Sequence, residues 1–345
     1  MSPLWMLVSG LALAEEPAVE APANVDDIES IESIAVMRGP EPPVSLPEVW
    51  AGMSPDALLQ AAIDRRALGD VDGARERLQV LDEGGALPAL AAYHLAVCDE
   101  IEEDYVDALA GYTTLIDRWP DLPLADDARF RRAVVLEDLG EHKQAVLQVR
   151  ELERRNAWDA RNRQSLALIR GAAELDAGRL RAGARRIQRE LTALDGTDEL
   201  TWARARAHLA SSRALLLQAA DIGIVNDGRA RKRLVARVAL LDQAMDQVIT
   251  IGRLGEPEAA LAGLLALGDA YQALHADLLA APPPAGLSEE QVAIFREELA
   301  KQVDVLQVKA WRFYDEGVSL ATRLQWQGHI AQELKARRAS LSPPD

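Results

Sequence analysis

Residues 89–152 read ALAAYHLAVCDEIEEDYVDALAGYTTLIDRWPDLPLADDARFRRAVVLEDLGEHKQAVLQVREL, and this stretch decides the fold. Ala96 and Ala108 stand twelve residues apart, as do Ala133 and Ala145. Four residues after each second alanine comes Tyr112 or Val149, and three further on Leu115 or Leu152. Two antiparallel helices approach closely only where their crossing carries small side chains, and a larger residue there overpacks it at a cost of about 1–3 kcal/mol. Tyr112 and Leu115 share a face of the second helix and fill the groove against the next pair. Pro120, with no amide donor, suits the end of that helix. One such pair of alanines is a coincidence in an alanine-rich chain; its recurrence is not.

This helix-turn-helix spacing resembles the tetratricopeptide repeat, TPR. The pattern extends outward in both directions. Ser54-Pro55 is an N-cap with proline at the first helical position, opening a pair in which Ala62 and Ala74 are again twelve apart, with Leu78 and Leu81 behind. A fourth pair has Gly171 and Gly183 at that interval, Gly178 at its turn and Ile187 behind. From Thr201 the pairs lengthen. Trp202, Ala205, Arg206 and Leu209 take first-helix positions, and Ala244, Val248 and Ile251 take second-helix positions. Leu264, Leu267, Gly268 and Tyr271 then reproduce L-x-x-L-G-x-x-Y. After prolines 282–284, Ser288 and Gln291 form a capping box for a long last helix on which Ala310 and Tyr314 repeat the alanine-to-aromatic step. The expected fold is an all-α, TPR-like right-handed solenoid of antiparallel helix pairs. Four pairs span 55–196 and two with extended helices span 197–327. Gly328 breaks the last long helix, and 328–345 hold a short helix and a frayed tail.

Composition agrees. Hydrophobic residues make up 49% and aromatics 4%, which favours helices built of Ala and Leu over sheets. The net charge of −17 argues against nucleic-acid binding by the chain as a whole. Charge is uneven, however. Residues 15–53 hold nine acids and one base, whereas residues 150–240 hold nineteen Lys/Arg against eleven Asp/Glu. Residues 1–14, MSPLWMLVSGLALA, read as a short secretory signal ending in Ala12-Leu13-Ala14. Residues 15–54 read as an acidic, proline-rich disordered linker, with a short helix at Asp26–Val36. The lone cysteine, Cys98, falls among acids and reads as a buried small hydrophobe.

The order Y-x-x-A-L-x-x-Y-x-x-L-I-x-x-W-P-D-x-P-L-A-D-D-A-R-F from Tyr105 to Phe130 resembles periplasmic TPR proteins of Gram-negative envelopes. Among these are the outer-membrane-protein assembly lipoproteins and the cell-division coordinator linked to the Tol-Pal system. The C-terminal G-L-S-E-E-Q-x-x-x-F-R is similar to long-helix TPR proteins of myxobacterial-type envelopes. The resemblance implies a non-catalytic periplasmic scaffold of the cell envelope, binding another envelope protein or peptide on the concave face. The first-helix positions concerned are Tyr93, Val97, Glu100, Phe130, Val134, Glu137 and Leu168, with Tyr93 and Phe130 as anchors. A second reading takes Arg181, Arg185 and Arg189, on one face of a helix, with Arg231, as a basic patch for an anionic polymer or lipid head groups, a peripheral membrane association.

No catalytic constellation stands out. The five histidines form no H-E-x-x-H pair, and no Walker loop, G-x-G-x-x-G or G-x-S-x-G occurs. Asp70-x-Asp72-Gly73 is a turn, since a calcium loop needs Glu at its twelfth position, here Leu81. No cofactor and no metal are expected.

Overall fold

The computed structural model describes residues 53–341 except 86, 156, 157, 195–198, 226, 228 and 285. The expected signal, the acidic tract to Gly52 and the helix at 26–36 lie outside the described residues. Among the described residues the chain is helical throughout, with no strand. The described residues divide into two compact units, one within 53–194 and the other within 199–341.

The first unit holds eight helices among its described residues: α1 (Pro55–Ala67), α2 (Val71–Glu83), α3 (Pro88–Ile101), α4 (Tyr105–Arg118), α5 (Pro123–Asp138), α6 (His142–Arg154), α7 (Ala160–Asp176) and α8 (Leu180–Ala193). Each helix packs on the next, and first helices touch across pairs, α1 on α3 and α3 on α5. The helix starts are written locally. The Ser54 hydroxyl accepts from the Ala57 amide, the Asp70 carboxylate from Gly73 and the Asp159 carboxylate from Asn162. Three of the four turns within pairs carry a left-handed glycine, Gly69 (φ 81°), Gly140 (φ 76°) and Gly178 (φ 78°). In the α3–α4 turn that conformation falls on Glu103, at φ 65°.

The recurring small residues do what their spacing predicts. Ala62, Ala74, Ala96, Ala108, Ala133 and Ala145 are all buried, and so are Tyr112, Leu115, Val149 and Leu152 behind them. At the fourth crossing a Cβ on Gly183 would lie 2.7 Å from the Gly171 carbonyl oxygen, and one on Gly171 would lie 2.6 Å from the Ile187 side chain. Two hairpin helices here meet backbone to backbone. Trp119 follows α4, and the link onward is clamped. Arg129 donates to Asp126 (2.7 Å) and to the Pro120 carbonyl (3.2 Å), and Arg155 reaches the same Asp126 (2.6 Å). Cys98 is fully buried in α3 among Ala62, Leu78 and Ala91, and burial raises its thiol pKa.

The second unit holds α9 (Thr201–Ala220), α10 (Ala230–Leu254), α11 (Pro257–Ala280), α12 (Glu289–Arg323) and α13 (His329–Ala339). Neighbouring helices pack in order, α9 also rests on α11, and α13 folds back on both α12 and α11. The capping box of Ser288 and Gln291 is present in both directions. Gly268 of the L-x-x-L-G-x-x-Y motif lies against the Tyr314 ring, where any Cβ would collide with it. Tyr314 is fully buried, and its hydroxyl donates to Asp269 (2.8 Å), which Arg337 also holds (3.0 Å). Tyr271 stacks on Phe313 with centroids 5.5 Å apart. In the first long pair, the residue that meets Ala244 is Ser212, whose buried hydroxyl donates to the Ala244 carbonyl (3.2 Å). Ser212 is small enough for the crossing but polar, so the alanine and glycine interval does not mark it.

One boundary differs from expectation. The long last helix ends at Arg323, not at 327. Gln325 turns into the left-handed region (φ 53°), with the Trp326 amide donating back to the Ala321 carbonyl (2.8 Å). Gly328 is therefore the N-cap of α13 rather than a break within α12. The helix pairs, their small crossings and the large buried residues behind them make the architecture TPR-like, with extended helices in the second unit.

Candidate interaction surface

The first helices of the first unit carry most of the residues expected to bind a partner. Arg131 on α5 joins two of them. Its Nε donates to the Tyr93 hydroxyl (3.0 Å) and its Nη1 to Glu100 (3.0 Å), and its guanidinium lies 5.9 Å from the centre of the Tyr93 ring. From within the α3–α4 pair, the Tyr112 hydroxyl donates to the same Glu100 carboxylate (2.7 Å). A further link runs back to α1, where Arg66 Nη1 lies 3.0 Å from His94 Nδ1. Arginine has only donors, so this Nδ1 accepts, and the imidazole is neutral with its proton on Nε2. Tyr93 packs edge-on to His94 at 5.2 Å and tilts against Tyr112 at 6.1 Å.

The electrostatics follow from this arrangement. Burial, with Arg66 and Arg131 nearby, lowers the His94 pKa to about 4. Burial works against the charged form of Arg131, but Glu100 and Tyr93 outweigh it and hold the guanidinium more firmly protonated than usual. Burial and then Glu100 push the Tyr112 phenol up. Burial and the adjacent Asp126 push the Asp127 carboxyl up. Tyr93, Glu100 and Arg131 thus form a fixed aromatic and charged platform spanning α3 and α5, with side chains that are only half-buried.

The other expected partner-binding residues divide. Phe130 is half-buried on α5 beside Arg131. Val97, Val134 and Leu168 are buried, and they fill the interior instead of facing a partner. An interior first helix packs on its own second helix and on helices of neighbouring pairs, so its apolar positions are consumed on more than one side. Glu137 leaves the platform. At the end of α5 it lies 3.3 Å from His142 Nδ1 at the start of α6, and the ligand atoms of Glu137, His142 and Asp176 lie within 4.8 Å of one another. No local spacing announces that trio.

Among the basic residues, Arg181, Arg185 and Arg189 are exposed along one face of α8, and Arg189 pairs with the adjacent Glu190 (2.7 Å). Arg186 points elsewhere, into the pair. There Glu174, 2% exposed, is held by Arg170 (3.0 Å) and Arg186 (3.2 Å). Burial raises its pKa, but the two arginines outweigh this and leave it below the usual range. Arg231 is exposed on α10 of the second unit, while nearby Arg233 is engaged by Asp227 (2.6 Å) and the Val225 carbonyl (2.6 Å).

No described helix is long and apolar enough to cross a membrane. No protein-family model matches the chain, and no curated protein matches it. Among solved structures, a tetratricopeptide repeat protein from Parabacteroides merdae is similar over 84% of this chain and all of its own length, at 14% identity and a TM-score of 0.43.

Proposed function

We propose that this chain is a non-catalytic protein-interaction scaffold, working in the periplasm at the cell envelope and gripping a peptide or partner domain across its first helices. The observation that carries this reading is the Tyr93–Arg131–Glu100 platform, which joins two successive first helices and leaves aromatic and charged groups half-exposed. Tyr, Trp and Arg dominate binding hot spots because they supply large contact area with polar handles. A partner segment with an aromatic or aliphatic anchor and an acidic or hydroxyl group suits it. The export part of the reading rests on residues 1–14, and N-terminal sequencing of mature protein tests it; an intact Met1 rejects it. Crosslinking in native cells identifies the partner. The double variant Tyr93→Ala, Phe130→Ala is then expected to lose that crosslink while its circular dichroism stays helical, and a retained crosslink rejects this surface.

The second reading, capture of an anionic polymer or lipid head groups, is favoured by the exposed Arg181–Arg185–Arg189 row on α8. Such capture weakens steeply with ionic strength, whereas binding through the aromatic platform does not. A salt titration of the identified complex separates the two.

A further inference from the structure

We propose that Glu137, His142 and Asp176 form a binding site for a divalent first-row transition metal such as zinc. The three come from three helices: Glu137 from the last turn of α5, His142 from the first residue of α6 and Asp176 from the last residue of α7. Each offers one ligand atom, and these atoms lie within 4.8 Å of one another, with every residue half-buried. Donors sharing one tetrahedral ion at zinc–ligand lengths stand about 3.3 Å apart, so binding draws these side chains inward.

The donor set narrows the ion. One imidazole nitrogen with two carboxylate oxygens suits zinc, cobalt, nickel or manganese. Calcium takes six to eight oxygens, and magnesium keeps its waters and prefers oxygen throughout. The charge balance also favours a cation. Two carboxylates stand close together, and both sit at helix C-terminal ends, where the helix dipole is negative. A doubly charged cation suits two carboxylates so placed, and the remaining coordination positions are left to water. Three protein ligands with an open position is the zinc arrangement that admits a further ligand. Such an ion ties the α5–α6 hairpin to α7 of the next one, adding to the Arg170–Glu153 and Arg150–Glu174 pairs that already join α6 and α7. The site is independent of the partner taken by the Tyr93 platform.

The test uses the full chain, stripped with chelator and titrated with cobalt chloride and, separately, zinc chloride. Cobalt is expected to give a saturable visible absorption at one equivalent, and zinc a rise in Tm that follows the same saturation. His142→Ala removes one of three ligands and is expected to weaken binding about 100-fold or more, since even outer-shell changes cost 10–100-fold. Asp176→Asn, which keeps the side-chain volume, is expected to weaken it as well while far-ultraviolet circular dichroism is unchanged. Cys98→Ser is expected to bind as the parent does. The proposal is overturned by the absence of a saturable cobalt signal, by equal binding in His142→Ala, or by a preference for calcium or magnesium over zinc. Any of these leaves the trio as a hydrogen-bonded feature of the turn.

Discussion

The two units solve the same packing problem with helices of different length. In residues 55–193 the helices run 13 to 17 residues. The buried side chains gather in separate clusters there, each local to adjoining helices. In residues 201–323 they run 20 to 35 residues. One continuous cluster runs through these helices and on into α13, from Ala205 to Leu334. The first unit places charge among its short hairpins: Glu174 among arginines, Arg131 between Tyr93 and Glu100, Asp126 between Arg129 and Arg155. The second unit invests in length and apolar area, and places fewer ions inside. The lesson is that a repeat's crossing geometry survives either choice, while the side chains available for binding do not. The shorter pairs keep Tyr93, Glu100 and Arg131 half-exposed on their first helices; in the longer ones His208 and Ser212 are buried, while Arg204 and Arg206 of α9 stay half-exposed.

The largest expected effect breaks the first unit at its buried charge. Glu174→Ala leaves Arg170 and Arg186 without the carboxylate they share, and it is expected to cost about 3 kcal/mol in urea unfolding. The parent also carries a pH signature. A carboxyl whose folded pKa lies below its unfolded value near 4.5 stabilises fully above that value and loses the contribution as pH falls through the folded pKa. Glu174→Gln is therefore expected to flatten the urea midpoint against pH below about 4.5.

Next come the crossings. Gly183→Ala meets backbone atoms, and Gly268→Ala meets a fully buried ring; each is expected to cost about 2 kcal/mol. Hydrogen exchange sharpens the comparison. Lost protection is expected to stay within α7, α8 and their neighbours for Gly183→Ala, and to spread through α9–α13 for Gly268→Ala. Equal spread in both variants removes the distinction between clustered and continuous cores.

A smaller effect belongs to His94. Its folded pKa of about 4 lies below its unfolded value near 6.5, so the neutral ring contributes stability above pH 6.5 that is lost as pH falls toward 4. Allowing for its partial exposure, the loss is up to about 2 kcal/mol, and His94→Gln is expected to remove this slope from a pH series of melts.

These effects also mark what could be read in the residues beforehand. The crossings were legible because Ala96 and Ala108, or Gly171 and Gly183, must be small wherever two helices meet, and the interval is local. Ser212 was missed because it is small but polar. The platform was half legible. Tyr93 and Glu100 fall at first-helix positions, whereas Arg131 joins them across 38 and 31 residues, a pairing that only the stacking of hairpins creates. Val97, Val134 and Leu168 showed the correct helical phase, but phase alone does not count how many neighbours a face has. Glu137, His142 and Asp176 span 40 positions of chain and match no ligand spacing, so the turn geometry had to be seen.

The smallest prediction is a gain. Glu103 occupies the left-handed position that glycine fills in the other three turns within helix pairs of the first unit. Glu103→Gly is expected to stabilise by about 0.5–1 kcal/mol, the strain of that conformation less the extra freedom of an unfolded glycine. A thermal melt reads it directly.

The lone thiol gives this chain a built-in clock. Because Cys98 is shut inside α3 and has no other thiol to compete with it, its rate of alkylation in native buffer times the opening of that helix against its neighbours. Partner capture on the Tyr93 side of the same helix should slow that clock, with no label introduced by mutation.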